Sequence, residues 1–319
     1  MNNIDFKNIK YYNKKQQKNG GNKMGLILEN VSKTFTGKKA VDGISFSLEK
    51  PGVFGLLGTN GAGKTTTIRM LLGIIKKDSG EITWNGKKVD RKSVNFGYLP
   101  EERGVYPKVK IYDQLMYFAE LKGMKKLEAD EAIKNWAKKL KVEEYIQMPA
   151  EKLSKGNQQK IQFMTAVIHN PELVVLDEPF SGLDPVNTEL LKNIIIELVQ
   201  NGKYVIMSAH QMATIEEFCS DILILNKGKT VLKGNLRKIK EEYPANRIQV
   251  ETNVKIDQYI KKLELTIENE KNNDYTIKID DEKKAHNLLQ ELVQNNVEVN
   301  KFEIMKPTLN DIFIEKVGE

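Results

Sequence analysis

The sequence is poor in the residues that mark secreted, zinc-binding and membrane-spanning chains. Its 319 residues include a single cysteine, Cys219, so no disulfide can form within the chain. Its three histidines are scattered, which excludes a zinc-type ligand cluster. The longest apolar runs, such as 173–176 and 222–225, are far shorter than the roughly 18 residues of a membrane-spanning helix. With 40% hydrophobic and 29% charged residues, the composition is that of a globular protein, which we expect in the cytoplasm.

Positive charge is concentrated at the amino terminus. Fifty Lys and Arg against 43 Asp and Glu give a net charge of +7, and residues 1–23 contribute six lysines and one aspartate. The rest of the chain is close to neutral, so we expect no nucleic-acid partner. Residues 1–24 lack the apolar core of a secretory signal and are expected to be a disordered basic extension. Two alternatives stay open: a tail that touches an anionic surface, and a translated leader before a natural start at Met24.

Two regions of different pattern follow this extension. From residue 25 to about 240, short apolar runs punctuated by Gly and Pro predict strands that alternate with helices, which favours parallel strands joined by crossover helices. Within this region, apolar residues at helical spacing over 111–148 predict an all-helical insert. Glycine becomes rare after residue 240, and the pattern of residues 241–319 predicts a small α+β domain of ferredoxin-like type.

The strongest motif is a glycine-rich loop that follows a predicted strand and precedes a predicted helix. It has the full phosphate-loop pattern, Gly58-Thr59-Asn60-Gly61-Ala62-Gly63-Lys64-Thr65. Glycines let backbone N–H groups turn toward phosphates, and the helix dipole adds positive potential. We expect Lys64 to reach the outer phosphates and Thr65 to offer its hydroxyl to Mg²⁺. The whole loop and the following Thr66 are expected to bind the nucleotide.

Two carboxylates end the apolar run Leu173-Val174-Val175-Leu176-Asp177-Glu178. A buried strand of this kind delivers its carboxyl end beside the phosphates, where Asp177 can hold Mg²⁺ through water. Glu178 can then activate the attacking water as a general base. Alone, an apolar run before Asp-Glu is a weak signal, because many strands end in surface carboxylates. Together with the phosphate loop it becomes a strong one.

A third segment, Leu153-Ser154-Lys155-Gly156-Asn157-Gln158-Gln159-Lys160, resembles the signature sequence of ATP-binding cassette proteins. It is the variant form with Lys and Asn at the third and fifth positions. Other cassette motifs occur in the expected order. They are Phe35 at the position of the adenine-stacking aromatic, Glu101 where most cassettes carry the Q-loop glutamine, Asp184 in the D-loop Ser181-Gly182-Leu183-Asp184, and His210 at the switch position.

The resemblance covers about residues 25–240 and implies the α/β fold of a P-loop cassette. This fold has a mixed-sheet core, an antiparallel β subdomain and an all-helical subdomain, here at about 105–155, and residues 241–319 would be an accessory domain. Residues 100–104 and the ending 306–313 resemble the branch of sodium and drug exporters that carries a short carboxyl-terminal appendix. Glutamate in place of glutamine at Glu101 puts negative charge near the magnesium site.

The resemblance also implies site roles. Glu178 and His210 are the expected catalytic residues, with His210 on the γ-phosphate. Thr65, Asp177 and Glu101 are the candidate metal contacts. In cassettes the signature loop completes the site of a second subunit. We therefore expect a head-to-tail dimer in which each copy presents a further set of nucleotide contacts, namely Ser154, Lys155, Gly156, Asn157 and Asp184.

The function implied by the resemblance is that of the ATPase subunit of a bacterial exporter. The chain would bind ATP and Mg²⁺, dimerise on ATP and drive a separate transmembrane permease. The helical insert and the Glu101 region would contact this permease, so the subunit would lie on the inner face of the membrane. The alternative is a soluble cassette ATPase that acts on ribosomes or nucleic acid. A single phosphate loop in the chain disfavours that alternative, since ribosomal cassettes normally carry two.

Overall fold

The computed structural model describes residues 25–89, 94–102 and 104–318. The extension expected over residues 1–24 lies outside this range. The described residues divide into two compact units, with the division between Lys233 and Gly234. The boundary that the sequence predicts, at 240/241, falls a few residues later. No helix in the described part of the chain is long and apolar enough to cross a membrane.

The first unit alternates strands and helices. Its strands are β1 (Leu26–Phe35), β2 (Lys38–Leu48), β3 (Gly52–Gly58), β4 (Ser79–Trp84), β5 (Lys87–Lys88), β6 (Phe96–Leu99), β7 (Leu173–Asp177), β8 (Tyr204–Ala209), β9 (Asp221–Asn226) and β10 (Lys229–Asn235), the last of which crosses the division. Its helices are α1 (Lys64–Leu71), α2 (Ile111–Leu121), α3 (Lys126–Leu140), α4 (Lys155–Val167), α5 (Pro185–Gln200) and α6 (Met212–Phe218).

A six-stranded sheet in the order β10-β9-β3-β8-β7-β6 forms the centre of this unit. Strands β9, β3, β8, β7 and β6 pair in parallel. Strand β7 is buried along its whole length and β3 along nearly all of it, as is typical of parallel strands that are covered on both faces. Parallel strands end at the same edge of a sheet. The phosphate loop after β3, the carboxylates at the end of β7 and the segment after β6 therefore share one edge.

A second, antiparallel sheet has the order β2-β1-β4-β5. Its inward side chains share one hydrophobic core with those of β3. Phe46 of β2 and Phe54 of β3 stack with ring centroids 4.6 Å apart. This common core fixes β1, and with it Phe35 at the end of β1, relative to the strand that leads into the phosphate loop.

Helices α2 and α3 form the helical insert that the sequence predicts, together with short 3₁₀ turns at Glu143–Tyr145 and Ala150–Lys152. The apolar side chains at helical spacing are buried, among them Ile111, Leu115 and Ile133. The insert ends where α4 begins, at the signature segment.

The second unit confirms the predicted α+β fold. Its elements are α7 (Leu236–Glu241), β11 (Arg247–Thr252), α8 (Asp257–Lys262), β12 (Thr266–Lys271), β13 (Asp274–Lys278), α9 (Glu282–Gln294), β14 (Val299–Met305) and α10 (Leu309–Gly318). The sheet order is β12-β13-β11-β14 with every neighbouring pair antiparallel. One helix follows β11 and one follows β13, which is the ferredoxin-like arrangement. Side chains of the sheet such as Val250 and Tyr275 pack against Ile260 of α8 and Leu288 of α9.

Candidate active site

The phosphate loop leaves β3 at Gly58 and enters α1 at Gly63, and both glycines have left-handed backbone angles, with φ of 146° and 108°. A Cβ atom on Gly58 would lie 2.4 Å from the carbonyl oxygen of Leu225, and one on Gly63 would lie 2.6 Å from that of Ala40. Glycine is therefore required at both positions. The turn between them, residues 59–61, is exposed, so its backbone is accessible to a phosphate.

Lys64 lies beneath this turn and is only 7% exposed. Its Nζ donates to the carbonyl oxygens of Gly58 and Thr59, at 2.7 and 3.4 Å. Thr65 and Thr66 follow in the first turn of α1, and both are partly exposed. An ammonium group and the positive end of a helix thus lie at the same loop, an arrangement suited to binding phosphate.

Asp177 ends β7 and is completely buried. Its Oδ1 accepts a hydrogen bond from the hydroxyl of Ser208, whereas its Oδ2 is buried without a hydrogen-bond partner. A buried carboxylate oxygen without a partner is costly, and Mg²⁺ prefers carboxylate and hydroxyl oxygens. Helix α1, whose first turn contains Thr65, packs against β7, so Asp177 and Thr65 are a donor set of the kind that Mg²⁺ prefers. Among the described residues, no three His, Cys, Asp or Glu side chains form a metal cluster by themselves.

Glu178 follows with a left-handed backbone, φ 53°. Its carboxylate is mostly buried, and Oε2 lies 2.8 Å from Nδ1 of His210. Burial raises the pKa of Glu178, and the charges of His210 and Lys64 oppose that rise. A carboxylate with a raised pKa is suited to accept a proton from water near neutral pH.

Glu101 is exposed and follows β6 by two residues. The carbonyl oxygens on either side of it, those of Pro100 and Glu102, accept hydrogen bonds from Nε2 of Gln162 at 3.1 and 2.9 Å. Gln162 is a buried residue of α4. The Glu101 segment is thereby attached to the helix that begins at the signature segment.

Phe35 ends β1 with its ring 44% exposed. The Nζ of Lys33 lies 5.3 Å from the centre of this ring. Asp78 holds the strand end, since its two carboxylate oxygens accept hydrogen bonds from Lys33 Nζ and from the backbone N–H of Thr34, each at 2.7 Å. An exposed ring on a fixed strand end can stack on a planar base.

The signature segment begins α4. Ser154 is the N-cap, and its hydroxyl accepts a hydrogen bond from the backbone N–H of Asn157 at 3.2 Å. Lys155 beside it is exposed. A Cβ atom on Gly156 would lie 3.5 Å from the side chain of Leu183, so the signature segment adjoins the D-loop.

Asp184, the last residue of the D-loop, caps α5. Its carboxylate accepts hydrogen bonds from the backbone and the side-chain amide of Asn187. These bonds lower the pKa of Asp184. The fold thus brings together the phosphate loop, Asp177, Glu178 and His210. The signature segment lies beside the D-loop, which ends at Asp184.

Two residues at the sheet edge were not singled out from the sequence. Ser208 lies opposite Asp177 in the pairing of β7 with β8. Burial and the neighbouring Asp177 raise the pKa of Tyr98 to about 12, against the influence of Arg69, so the phenol stays protonated. A polar residue inside the apolar run of β8 was the available signal for Ser208. Tyr98 gave none, because its environment depends on how β6 lies beside β7.

Comparison with known proteins identifies the family. The ABC transporter profile matches residues 41–181, and the profile of the DrrA1-3-like ATP-binding protein C-terminal domain matches residues 234–317. The chain is 44% identical over 295 residues to the uncharacterized ABC transporter ATP-binding protein YhaQ of Bacillus subtilis (strain 168), which is 92% of this chain and 98% of that protein. The chain belongs to the ABC transporter ATP-binding proteins. As a cassette of this family it is an ATPase, which confirms the predicted activity and the use of ATP.

Other similar proteins support the same family assignment. The cassette is 34% identical over 213 residues to the linearmycin resistance ATP-binding protein LnrL of Bacillus subtilis (strain 168), covering 66% of the cassette chain and 68% of LnrL. A solved structure described as the ATP binding subunit of an ABC transporter superimposes with a TM-score of 0.64 at 28% identity, over 69% of this chain and 93% of that one. The predicted P-loop cassette fold is confirmed.

Proposed function

We propose that two copies of this cassette enclose ATP and Mg²⁺ between them and that hydrolysis drives a separate permease that exports its substrate. The observation that carries the proposal is the pair of carboxylates at the end of β7. Asp177 keeps one buried oxygen free of hydrogen bonds, and Glu178 is hydrogen-bonded to His210. Both lie at the edge of the sheet from which the phosphate loop emerges.

The chemistry requires a base for the attacking water and positive charge for the phosphates. Glu178 is the proposed base, because burial raises its proton affinity and His210 holds its carboxylate. Lys64 and the backbone of the phosphate loop supply positive charge to the outer phosphates. Thr65 and Asp177 would hold Mg²⁺, which when bound neutralises charge on the phosphate oxygens.

The second copy supplies the signature segment. Helix α4 has no acidic residue in its first turn, so the partial positive charge of its amino end is not offset there. Ser154 and Lys155 are exposed at that end and are available to the γ-phosphate bound by a partner copy. Since such a phosphate would contact both copies, ATP favours the closed dimer and cleavage favours its opening.

The permease contact is assigned to an apolar surface of the helical insert. Tyr106, Tyr117 and Leu121 are each more than half exposed. The rings of Tyr106 and Tyr117 both pack against Phe118, with ring centroids 6.3 and 5.6 Å away, so the three rings form one cluster. Clustered exposed apolar residues are typical of protein contact sites. Contact through this surface would hold the cassette at the inner face of the membrane, in the cytoplasm.

One finding supports export rather than import. A relative is named for resistance to linearmycin, and export of a compound confers resistance to it. We assign the choice of substrate to the permease. None of the relatives described above is named for a role on ribosomes or nucleic acid, so nothing in them supports the alternative.

The variant Glu178→Gln tests the proposal. Hydrolysis should fall by about 10²–10⁴-fold, the usual contribution of a positioned general base. ATP binding and ATP-dependent dimerisation should persist, because the amide keeps the size of the side chain. Phosphate release measures hydrolysis and light scattering measures dimerisation. The exposed Glu131→Gln is a control that should match wild type in both. Near-normal turnover of Glu178→Gln would exclude Glu178 as the base. A protein that stays monomeric when saturated with ATP and Mg²⁺, alone and with its permease, would refute the dimer.

A further inference from the structure

The side chain of Ser208 joins the two carboxylate residues of the site. Strands β7 and β8 pair in parallel with Asp177 opposite Ser208. Ser208 is completely buried. Its hydroxyl donates to Oδ1 of Asp177 and accepts a hydrogen bond from the backbone N–H of Glu178 at 3.1 Å. A single hydroxyl therefore contacts two consecutive residues with different roles.

The donated bond determines which oxygen of Asp177 remains free. A serine hydroxyl has one proton to donate. Because Oδ1 of Asp177 accepts this hydrogen bond, rotation of the carboxylate is restricted and Oδ2 remains as the buried oxygen without a partner. Oδ2 is the oxygen available to a cation.

The accepted bond acts on the backbone of Glu178. A φ of 53° is unfavourable for a residue with a side chain, and a turn of this kind persists only when its surroundings hold it. The hydroxyl of Ser208 holds the N–H of that turn. The same turn brings the carboxylate of Glu178 to His210.

We propose that Ser208 is a positioning residue for the hydrolytic site: its hydroxyl orients Asp177 toward Mg²⁺ and fixes the turn that aims Glu178 at the attacking water. The inference rests on the proposed function, since it assigns these two roles to Asp177 and Glu178. Ser208 itself contacts neither nucleotide nor metal in this proposal. Its effect should therefore be seen in the affinity for Mg²⁺ and in turnover, but not in the binding of metal-free nucleotide.

The test uses the full chain with Ser208→Ala and Ser208→Thr. The readout is the affinity for a non-hydrolysable ATP analogue, measured by calorimetry in EDTA and over a Mg²⁺ titration. In Ser208→Ala, the Mg²⁺ concentration for half-maximal enhancement of binding should rise by roughly 10–100-fold, the usual effect of losing a partner of a metal ligand. Analogue affinity in EDTA should match that of wild type, because no metal is present for Asp177 to hold. Ser208→Thr keeps the hydroxyl and should therefore show the same Mg²⁺ titration as wild type.

A matched control removes a buried hydroxyl from the other compact unit. Thr252 of the second unit is 3% exposed and its Oγ1 donates to the carbonyl oxygen of Val254 at 2.7 Å. Thr252→Val should lower thermal stability without changing the Mg²⁺ titration. If Ser208→Ala does not fold, Ser208→Cys replaces it, since the thiol is a weak donor of similar size and should give an intermediate rise.

The outcomes separate this inference from the proposed function. If Ser208→Ala lowers the melting temperature and leaves the Mg²⁺ titration unchanged, or if the threonine variant fails to restore the response, the positioning role is wrong. If the wild-type protein binds the analogue without any dependence on Mg²⁺, the proposed function itself fails. A raised Mg²⁺ requirement in Ser208→Ala, with a wild-type titration in Ser208→Thr, supports both the positioning role and the proposed function.

Discussion

The Nδ1 atom of His210 lies 2.8 Å from Oε2 of Glu178. The histidine side chain is 54% exposed, whereas the glutamate side chain is only 11% exposed. The contact therefore joins an accessible ring to a sheltered carboxylate. Such a carboxylate keeps a high proton affinity, while the ring can respond to a ligand that enters from solvent. This relationship determines how the activity should depend on pH.

The acid limb of the ATPase pH profile should lie above that of an ordinary glutamate. Burial raises the pKa of Glu178 from 4.5. The base is active when deprotonated, so turnover should fall on acidification, and a raised pKa makes it fall at a higher pH. His210 lowers this pKa by its charge and its hydrogen bond. The profile of His210→Ala should therefore show an acid limb at still higher pH, together with lower overall activity.

The comparison of kcat/KM profiles of wild type and His210→Ala checks this prediction. The residual activity of Glu178→Gln is the reference, because an amide does not titrate and should leave no acid limb from this position. An acid limb of Glu178→Gln identical to that of wild type would assign the titration to another group.

Removing the amine of Lys64 should weaken nucleotide binding. Its Nζ lies at the carbonyl oxygens of Gly58 and Thr59 and is the buried cation of the phosphate loop. A hydrogen bond to a charged group contributes about 1.5–3 kcal/mol, so the affinity of Lys64→Ala for ATP should fall by roughly 10–100-fold. Equilibrium binding of a fluorescent ATP analogue measures it.

Lys203→Ala is the matched control. Lys203 is also partly desolvated, which lowers its pKa, but its Nζ contacts the carbonyl oxygen of Asn170 before β7, at the opposite edge of the sheet. Its loss should leave nucleotide affinity unchanged. Equal weakening by both variants would mean that lost stability, rather than lost phosphate contact, explains the effect.

How much could be predicted from the sequence depended on the distance between partners along the chain. The phosphate loop and the Asp177-Glu178 pair are each a contiguous segment, and the two together indicated the chemistry from local pattern. The contact of Ser208 with Asp177 spans 31 residues and depends on the register of β7 with β8. The contact of Gln162 with Glu102 spans 60 residues and depends on how α4 packs on the sheet. Neither register nor packing can be read from local pattern.

The boundary of the second unit also depends on contacts that the local sequence pattern does not predict. The pattern of residues 241–319 predicted a small α+β domain of ferredoxin-like type, and the sheet order β12-β13-β11-β14 agrees with it. The division itself lies at 233/234, before α7. The loss of glycine after residue 240 gave no indication of this, since compactness is a property of contacts between elements and not of composition.

Truncating Phe35 should weaken ATP binding without destabilising the fold. Stacking of a base on an aromatic side chain contributes about 1–3 kcal/mol, so Phe35→Ala should lower the affinity for ATP by roughly 5–150-fold. Phe35→Trp should retain it. Because the ring is 44% exposed, thermal unfolding should change little. Tyr117→Ala, which removes an exposed ring of the helical insert, should leave ATP affinity as in wild type, and a similar loss in both variants would contradict stacking at Phe35.

Replacing Gln162 should loosen the Glu101 segment and little else. Gln162 Nε2 donates to the carbonyl oxygens of Pro100 and Glu102. Helix α4 can approach β6 this closely because residue 97 is glycine: a Cβ on Gly97 would lie 2.1 Å from the carbonyl oxygen of Ala166. Gln162→Leu keeps the volume but removes both hydrogen bonds, each of which contributes about 0.5–1.5 kcal/mol. Backbone amide hydrogen exchange should accelerate at Glu101 and Glu102.

Gln159→Leu is the control on the same helix for that exchange experiment. Gln159 is equally buried, and its Nε2 donates to the carbonyl oxygen of Pro179 at 3.0 Å. Its replacement should accelerate amide exchange near residue 180 and leave exchange at Glu101 and Glu102 unchanged. Two distinct sites of acceleration would show that α4 holds the Glu101 segment and the segment after Glu178 through separate side chains. The same pattern in both variants would instead indicate general loosening of the helix, and the specific attachment through Gln162 would have to be abandoned.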